Sequence, residues 1–191
     1  MVSKQEFVQS IKEGNKLKIL CIDTASDICG VSILENTSLV VNLDNNTGRT
    51  HSENLMPMIQ KALKIANISL KDINLLVCDK GPGSFTGIRI GISTVKAFHD
   101  SLNIPCIGIS ALESLAYNVK NDTLIASIID CKNNNCYFAL YKLANSTYTN
   151  IIEPTATSIL DALELCKNAY CNYPQNSNNM RYYFCWRCRH L

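Results

Sequence analysis

The sequence predicts an α/β protein of two lobes, built on a mixed sheet with helices on its faces. Two observations carry this. Three runs rich in Val, Ile and Leu, LKILCIDT, ICGVSILE and SLVVNLD, crowd into residues 17–44 with only Ala25 to Asp27, then Asn36 and Thr37, between them. Spacings this short admit only hairpins, so the runs form an antiparallel meander. Beyond them, helix-patterned stretches alternate with short apolar runs, INLLVC and IPCIGI, which read as buried strands joined by crossover helices.

The elements follow in order. A helix spans Thr50 to Asn67, and INLLVC is the fourth strand. After the loop GPGSFTG a second helix runs from Ser84 to about Ser101, and IPCIGI is the fifth strand. A third helix opens on the capping box Ser110-Ala-Leu-Glu113. The first lobe is therefore expected over 17–120, after an N-terminal extension at 1–16. A second lobe at 121–170 begins with TLIASIID and CYFALYKL, a hairpin around Asn133 to Asn135, followed by a helix from about Thr155 to Asn168. Beyond Tyr170 the composition changes: the last eleven residues hold three of the five arginines and the only tryptophan. Residues 171–191 are expected to pack poorly or to be disordered.

Composition narrows the function. The 191 residues are 47% hydrophobic, enough to fill a core, and 18 Lys and Arg against 16 Asp and Glu leave a formal charge of +2. That balance does not suit a generic nucleic-acid or membrane-surface binder. Met1 to Lys16 lacks the apolar stretch of a secretory signal, and no run is long enough to span a bilayer. A cytoplasmic protein is expected. Six of the ten cysteines, Cys21, Cys29, Cys78, Cys106, Cys136 and Cys166, sit singly in apolar runs, as buried thiols in a reducing compartment do.

Gly83, Gly87 and Gly91 recur every four residues and so share one stripe of the second helix. Each helical glycine costs roughly 0.5 to 1 kcal/mol against alanine. Close approach of another backbone would explain the stripe; anion binding at a helix N-terminus and a simple tight turn are the other readings. The Walker lysine is missing, because Gly87 is followed by Ile88 and Arg89. On the preceding helix, Leu55, Met56, Met58, Ile59, Ala62, Leu63, Ile65 and Ala66 cover an arc of about 180°. That exceeds the stripe one core needs, which suggests a second buried surface or a helix sunk deeply in one core.

Other chemistry is sparse. His51 reads as a helix-start residue within Thr50-His-Ser-Glu53, and His99 lies near a helix C-terminus, where a cation suits the dipole. Cys185, Cys188 and His190, with Cys166 and Cys171 upstream, have the ligand types of a zinc site but stand in the foreign-looking tail. Asp23 and Asp130 close buried strands, and two aspartates are no mechanism.

The segments KILCIDTAS at 18–26, RTHSENLMPMI at 49–59, GPGSFTGIRIG at 81–91 and IPCIGISALESLA at 104–116 closely resemble the bacterial TsaB family, also called YeaZ, in order and spacing. The resemblance covers roughly Lys18 to Glu153. It implies an actin-like fold, of the acetate kinase, sugar kinase, Hsp70 and actin superfamily. It also implies a non-catalytic dimerisation or scaffold subunit working with TsaD and TsaE. Together these make threonylcarbamoyladenosine beside the anticodon of tRNAs that read codons starting with A. TsaD-like proteins hold a metal with a histidine pair in a stretch resembling GVNHMEGH; here Ala111 and Leu115 stand at those places, and neither can ligate a metal.

The resemblance further implies that tRNA is reached only through the complex. No cofactor is expected on this subunit, with ATP and a metal ion on its partners, and one surface could serve a homodimer as well. The two helices at 50–67 and 84–101 resemble the family's dimerisation helices. The expected interface is Leu55, Met58, Ile59, Ala62, Gly83, Phe85, Gly87, Ile88, Gly91 and Val95. Asp23 is expected to be structural or a weak nucleotide contact. Three features depart from the family pattern: Asp130-Cys-Lys132 in place of Asp-Ala-Arg, the N-terminal extension, and a second lobe expected to be truncated. The rival reading, a small actin-fold phosphotransferase or peptidase-like enzyme, needs a site that the missing histidines argue against.

Overall fold

The computed structural model describes residues 16–46, 50–172 and 182–187, and the chain forms two compact units that divide at Ile109 and Ser110. In the first unit, β1 (Lys18–Asp23), β2 (Cys29–Glu35) and β3 (Ser38–Asn45) make the expected antiparallel meander. The β2–β3 turn closes because Asn36 adopts a φ of 56°, which asparagine tolerates better than most residues. Its side-chain carbonyl accepts the Leu17 N–H at 2.9 Å, and its own N–H donates to the Leu17 carbonyl at 2.7 Å. The turn is thereby fastened to the start of the central strand.

From there α1 (His51–Ile65) leads to β4 (Leu75–Asp79), parallel to β1, and α2 (Phe85–Leu102) leads to β5 (Cys106–Ile109), parallel to β4. The order is β3-β2-β1-β4-β5, with the first strand central as the actin-like reading requires. Leu20, Ile22, Val31, Ile33 and Leu76 from the sheet pack with Leu55, Met58, Ile59 and Ala62 of α1 and Val95 of α2. Helix α2 ends at Asn103 in the left-handed conformation, a common helix stop. The nearby His99 Nδ1–H donates to the Ile104 carbonyl at 2.7 Å.

The second unit holds α3 (Ala111–Ala116), β6 (Thr123–Asp130), β7 (Asn135–Ala144), β8 (Thr147–Ser158), α4 (Ile159–Asn172) and β9 (Tyr182–Arg187), with sheet order β8-β7-β6-β9. Alternate residues of β6 and β7 bury against two clusters. Ile125, Ile129, Ala139, Tyr141 and Leu143 pack with Ala111, Leu112 and Ala116, whereas Ala126, Ile128, Phe138 and Leu140 pack with Ala162 and Cys166. Burial on both faces explains why TLIASIID reads as a continuous apolar run.

Three expectations change here. Helix α3, assigned from sequence to the first lobe, packs in the core of the second unit. The helix expected from Thr155 begins at Ile159, because Thr155, Ala156 and Thr157 extend β8 opposite Phe138, Tyr137 and Cys136. Ser158 then starts the helix by accepting the Asp161 N–H at 3.0 Å. Within the tail expected to pack poorly, the backbone of Tyr182–Arg187 pairs parallel with β6; the remainder of 171–191, apart from the last two residues of α4, lies outside the described residues, as does the extension at 1–15.

Candidate interaction face of the first unit

The loop GPGSFTG joins β4 to α2. Asp79 accepts the Gly81 N–H at 2.7 Å, and Gly81 takes a φ of 89°, where a side chain would be strained. Ser84 caps α2 by accepting the Gly87 N–H at 3.3 Å, while its own N–H donates to the Ala25 carbonyl at 2.7 Å. The segment after β1 is held from two further sides. Thr24 Oγ1 donates to the Gly87 carbonyl at 2.8 Å, and His51 Nε2 lies 2.7 Å from the Ser26 carbonyl. A carbonyl only accepts, so Nε2 carries the proton there. Nδ1 of His51 is buried without a partner among the described residues.

These contacts identify the backbone that the glycines approach. A Cβ at Gly83 would overlap the Ala25 carbonyl, one at Gly87 the Thr24 carbonyl, and one at Gly91 Thr24 Oγ1. The stripe faces the chain's own β1–β2 connection. Reading Gly83, Gly87 and Gly91 as a partner-facing helical stripe is therefore corrected, because Gly83 lies in the loop before the Ser84 cap and the side of α2 that carries Gly87 and Gly91 is turned, like Gly83, against the chain's own backbone. Leu55, Met58, Ile59, Ala62 and Val95 are corrected too: all five are core residues of this unit. The surplus in the 180° arc is smaller than expected, since Leu63 and Ala66 also pack against the core.

What α1 and α2 present outward is different. Phe85, first residue of α2, is 72% exposed, and the Arg89 guanidinium stacks 4.6 Å from its ring centroid. On α1, Met56 and Ile65 are exposed. Ile88 is half-buried, its side chain folded over Gly81. The sequence sets Met56 and Ile65 on the apolar arc, with Met56 as an adaptable contact of the suspected second surface, although neither is among the expected interface residues. Their positions at the margins of the arc were the available signal.

Asp23 accepts the Ala25 N–H at 2.9 Å and Asp130 the Lys132 N–H at 2.9 Å, so each closes a turn after its strand. Among the described residues no three His, Cys, Asp or Glu side chains gather as a metal site. The side chains of Cys171, Cys185, Cys188 and His190 lie outside the described set. Burial pushes the Cys21 and Cys166 thiols up to about 11 and raises Cys29, Cys78 and Cys136, which makes them poor nucleophiles. No helix among the described residues is long and apolar enough to cross a membrane.

The family described as "TsaD: tRNA N6-adenosine threonylcarbamoyltransferase" matches residues 43–184. The "tRNA threonylcarbamoyladenosine biosynthesis protein TsaB" of Bacillus subtilis is 32% identical over 79% of this chain and 66% of its own length. Its namesake in Escherichia coli is 35% identical over 66% of this chain and 55% of its own. The structure of YeaZ from Pseudomonas aeruginosa superposes with a TM-score of 0.67 at 26% identity, covering 74% of this chain and 68% of that one. The chain belongs to the TsaB (YeaZ) branch of this family. It spans from just over half to about two thirds of the curated TsaB relatives it matches. Ala111 and Leu115, which the resemblance sets at the places of a TsaD-like histidine pair, are respectively buried in and packed against the core of the second unit.

Proposed function

We propose that this chain serves in the cytoplasm as a non-catalytic partner subunit in forming N6-threonylcarbamoyladenosine on tRNA. It docks on TsaD through the outward sides of α1 and α2, with TsaE completing the assembly. The complex, rather than this chain, holds the tRNA and modifies the adenosine beside the anticodon of tRNAs that read codons starting with A. ATP and the metal ion belong to the partner subunits, and the same outward side can pair two copies of this chain.

The observation that carries the docking reading is Phe85. A 72% exposed phenylalanine stacked by Arg89 has the aromatic and arginine composition of interface anchors. Ala111 and Leu115 support the non-catalytic part, since apolar side chains packed into a core offer no ligand to a metal.

The test is affinity for the cognate TsaD. Phe85→Ala is expected to weaken the complex at least tenfold, about 1.4 kcal/mol, with an unchanged circular dichroism spectrum and melting temperature. Wild-type affinity in Phe85→Ala and in Met56→Asp would remove this face from the assembly. Threonylcarbamoyl transfer by the purified chain without TsaD would remove the non-catalytic assignment.

A further inference from the structure

The helices of the first unit cover one face of its sheet, where Leu20, Ile33 and Leu76 pack with residues of α1 and α2. Ile19 and Leu34 alternate with Leu20 and Ile33, so they point to the other face. The strand register sets Ile19 opposite Leu34 and Leu34 opposite Leu39, and paired residues share a face. An apolar row therefore crosses β1, β2 and β3 at the end of the sheet where the chain enters β1. Leu39 is 61% exposed, and Leu34 and Ile19 are half-buried. Among the described residues no helix of the first unit packs on this row.

Residues 1–15 lead directly to it. Leu17 is fastened to Asn36 of the β2–β3 turn, and Lys16 pairs with Glu35 at 3.0 Å, so the segment joins the sheet beside the turn that precedes Leu39. Its sequence has the marks of an amphipathic helix. Ser3-Lys-Gln-Glu6 has the spacing of a capping box, and Val2 and Phe7 have that of a hydrophobic staple. At 100° per residue Phe7, Val8 and Ile11 fall within an arc of about 100°, and Gly14 is a stop signal. Gly14 to Lys16, extended, span about 10 Å. Two strand spacings, also about 10 Å, separate β1 from β3.

We propose that residues 1–15 form a helix that folds back on the chain's own sheet and lays Phe7, Val8 and Ile11 on Leu39, Leu34 and Ile19. So short a tether holds the segment at a roughly millimolar effective concentration, above that of a free partner. A second copy pairing along the β3 edge is disfavoured, because the register shift that leaves Val40 unpaired interrupts that edge. The row lies on the face opposite α1 and α2, so its occupation leaves their outward sides open to a partner.

The test is a nuclear Overhauser measurement on the full chain, 13C-labelled in its Ile, Leu and Val methyls. Contacts from the Phe7 ring and the Ile11 methyls to the Leu39 and Leu34 methyls are expected, and Phe7→Ser should abolish those of the ring. In urea unfolding, Phe7→Ser and Leu39→Ser should each shift the equilibrium of the first unit about fivefold or more towards unfolding. The double variant should lose less than the product of the two, as contacting residues do. Absence of the contacts, their appearance only between differently labelled copies, wild-type stability in both single variants, or a strictly multiplicative double variant would overturn the docking. The second of these outcomes would give the row to another copy of the chain.

Discussion

At Gly87 two opposing effects can be compared directly. In a solvent-facing helix an alanine there would stabilise by roughly 0.5 to 1 kcal/mol, through helix propensity. Here the added Cβ meets the Thr24 carbonyl, which is backbone and is held by the surrounding hydrogen bonds. Overpacking of this kind costs about 1 to 3 kcal/mol, so the net sign is destabilising. Gly87→Ala is expected to lower the urea unfolding midpoint, and Gly91→Ala to lower it less, because its nearest obstacle is the Thr24 side chain. A Gly87→Ala variant as stable as wild type would show that the connection yields. The four-residue spacing of these glycines was legible in the sequence, but the direction they face was not. A helical wheel fixes which residues share a side without saying what lies opposite.

Among the elements, the strongly periodic ones were read best. The meander and both crossovers of the first unit stand where the apolar runs placed them, and α1 and α2 moved by one or two residues at their ends. Strand β8 was missed because TNIIEPTATS carries Glu153 and Pro154 amid mostly exposed or half-buried positions, so pairing with β7 decides its conformation more than its own pattern does. The β7–β8 connection shows the same tertiary control. Asn145 and Ser146 form a two-residue turn with φ of 51° and 61°, the left-handed pair that fits strand twist. Serine holds that conformation at a cost that glycine avoids. Ser146→Gly is expected to stabilise the second unit by about 0.5 kcal/mol, read as a higher denaturation midpoint. A lower midpoint would mean that glycine's freedom in the unfolded chain outweighs the relief of strain.

For the whole molecule, the buried Cys166 and Tyr141 and the half-buried Cys21 set how stability depends on alkaline pH. Cys21 and Cys166 rise from 9.0 to about 11, and Tyr141 rises from 10.0 to about 12, in each case first through burial. The folded chain therefore holds these protons more tightly than the unfolded chain does. Their contribution is fully present below the unfolded values and is lost as pH climbs through the folded ones, since the unfolded chain releases protons first. Folding free energy is expected to be flat up to about pH 8.5 and to fall progressively between about pH 9 and about pH 12, measured by urea unfolding under a phosphine reductant. Cys21→Ala should remove the part of the fall that the Cys21 thiol contributes, because the other groups remain. Stability that stayed level to about pH 11 would mean that these thiols ionise as freely in the folded protein as in water, and that the apolar runs around Cys21 and Cys166 do not seal them.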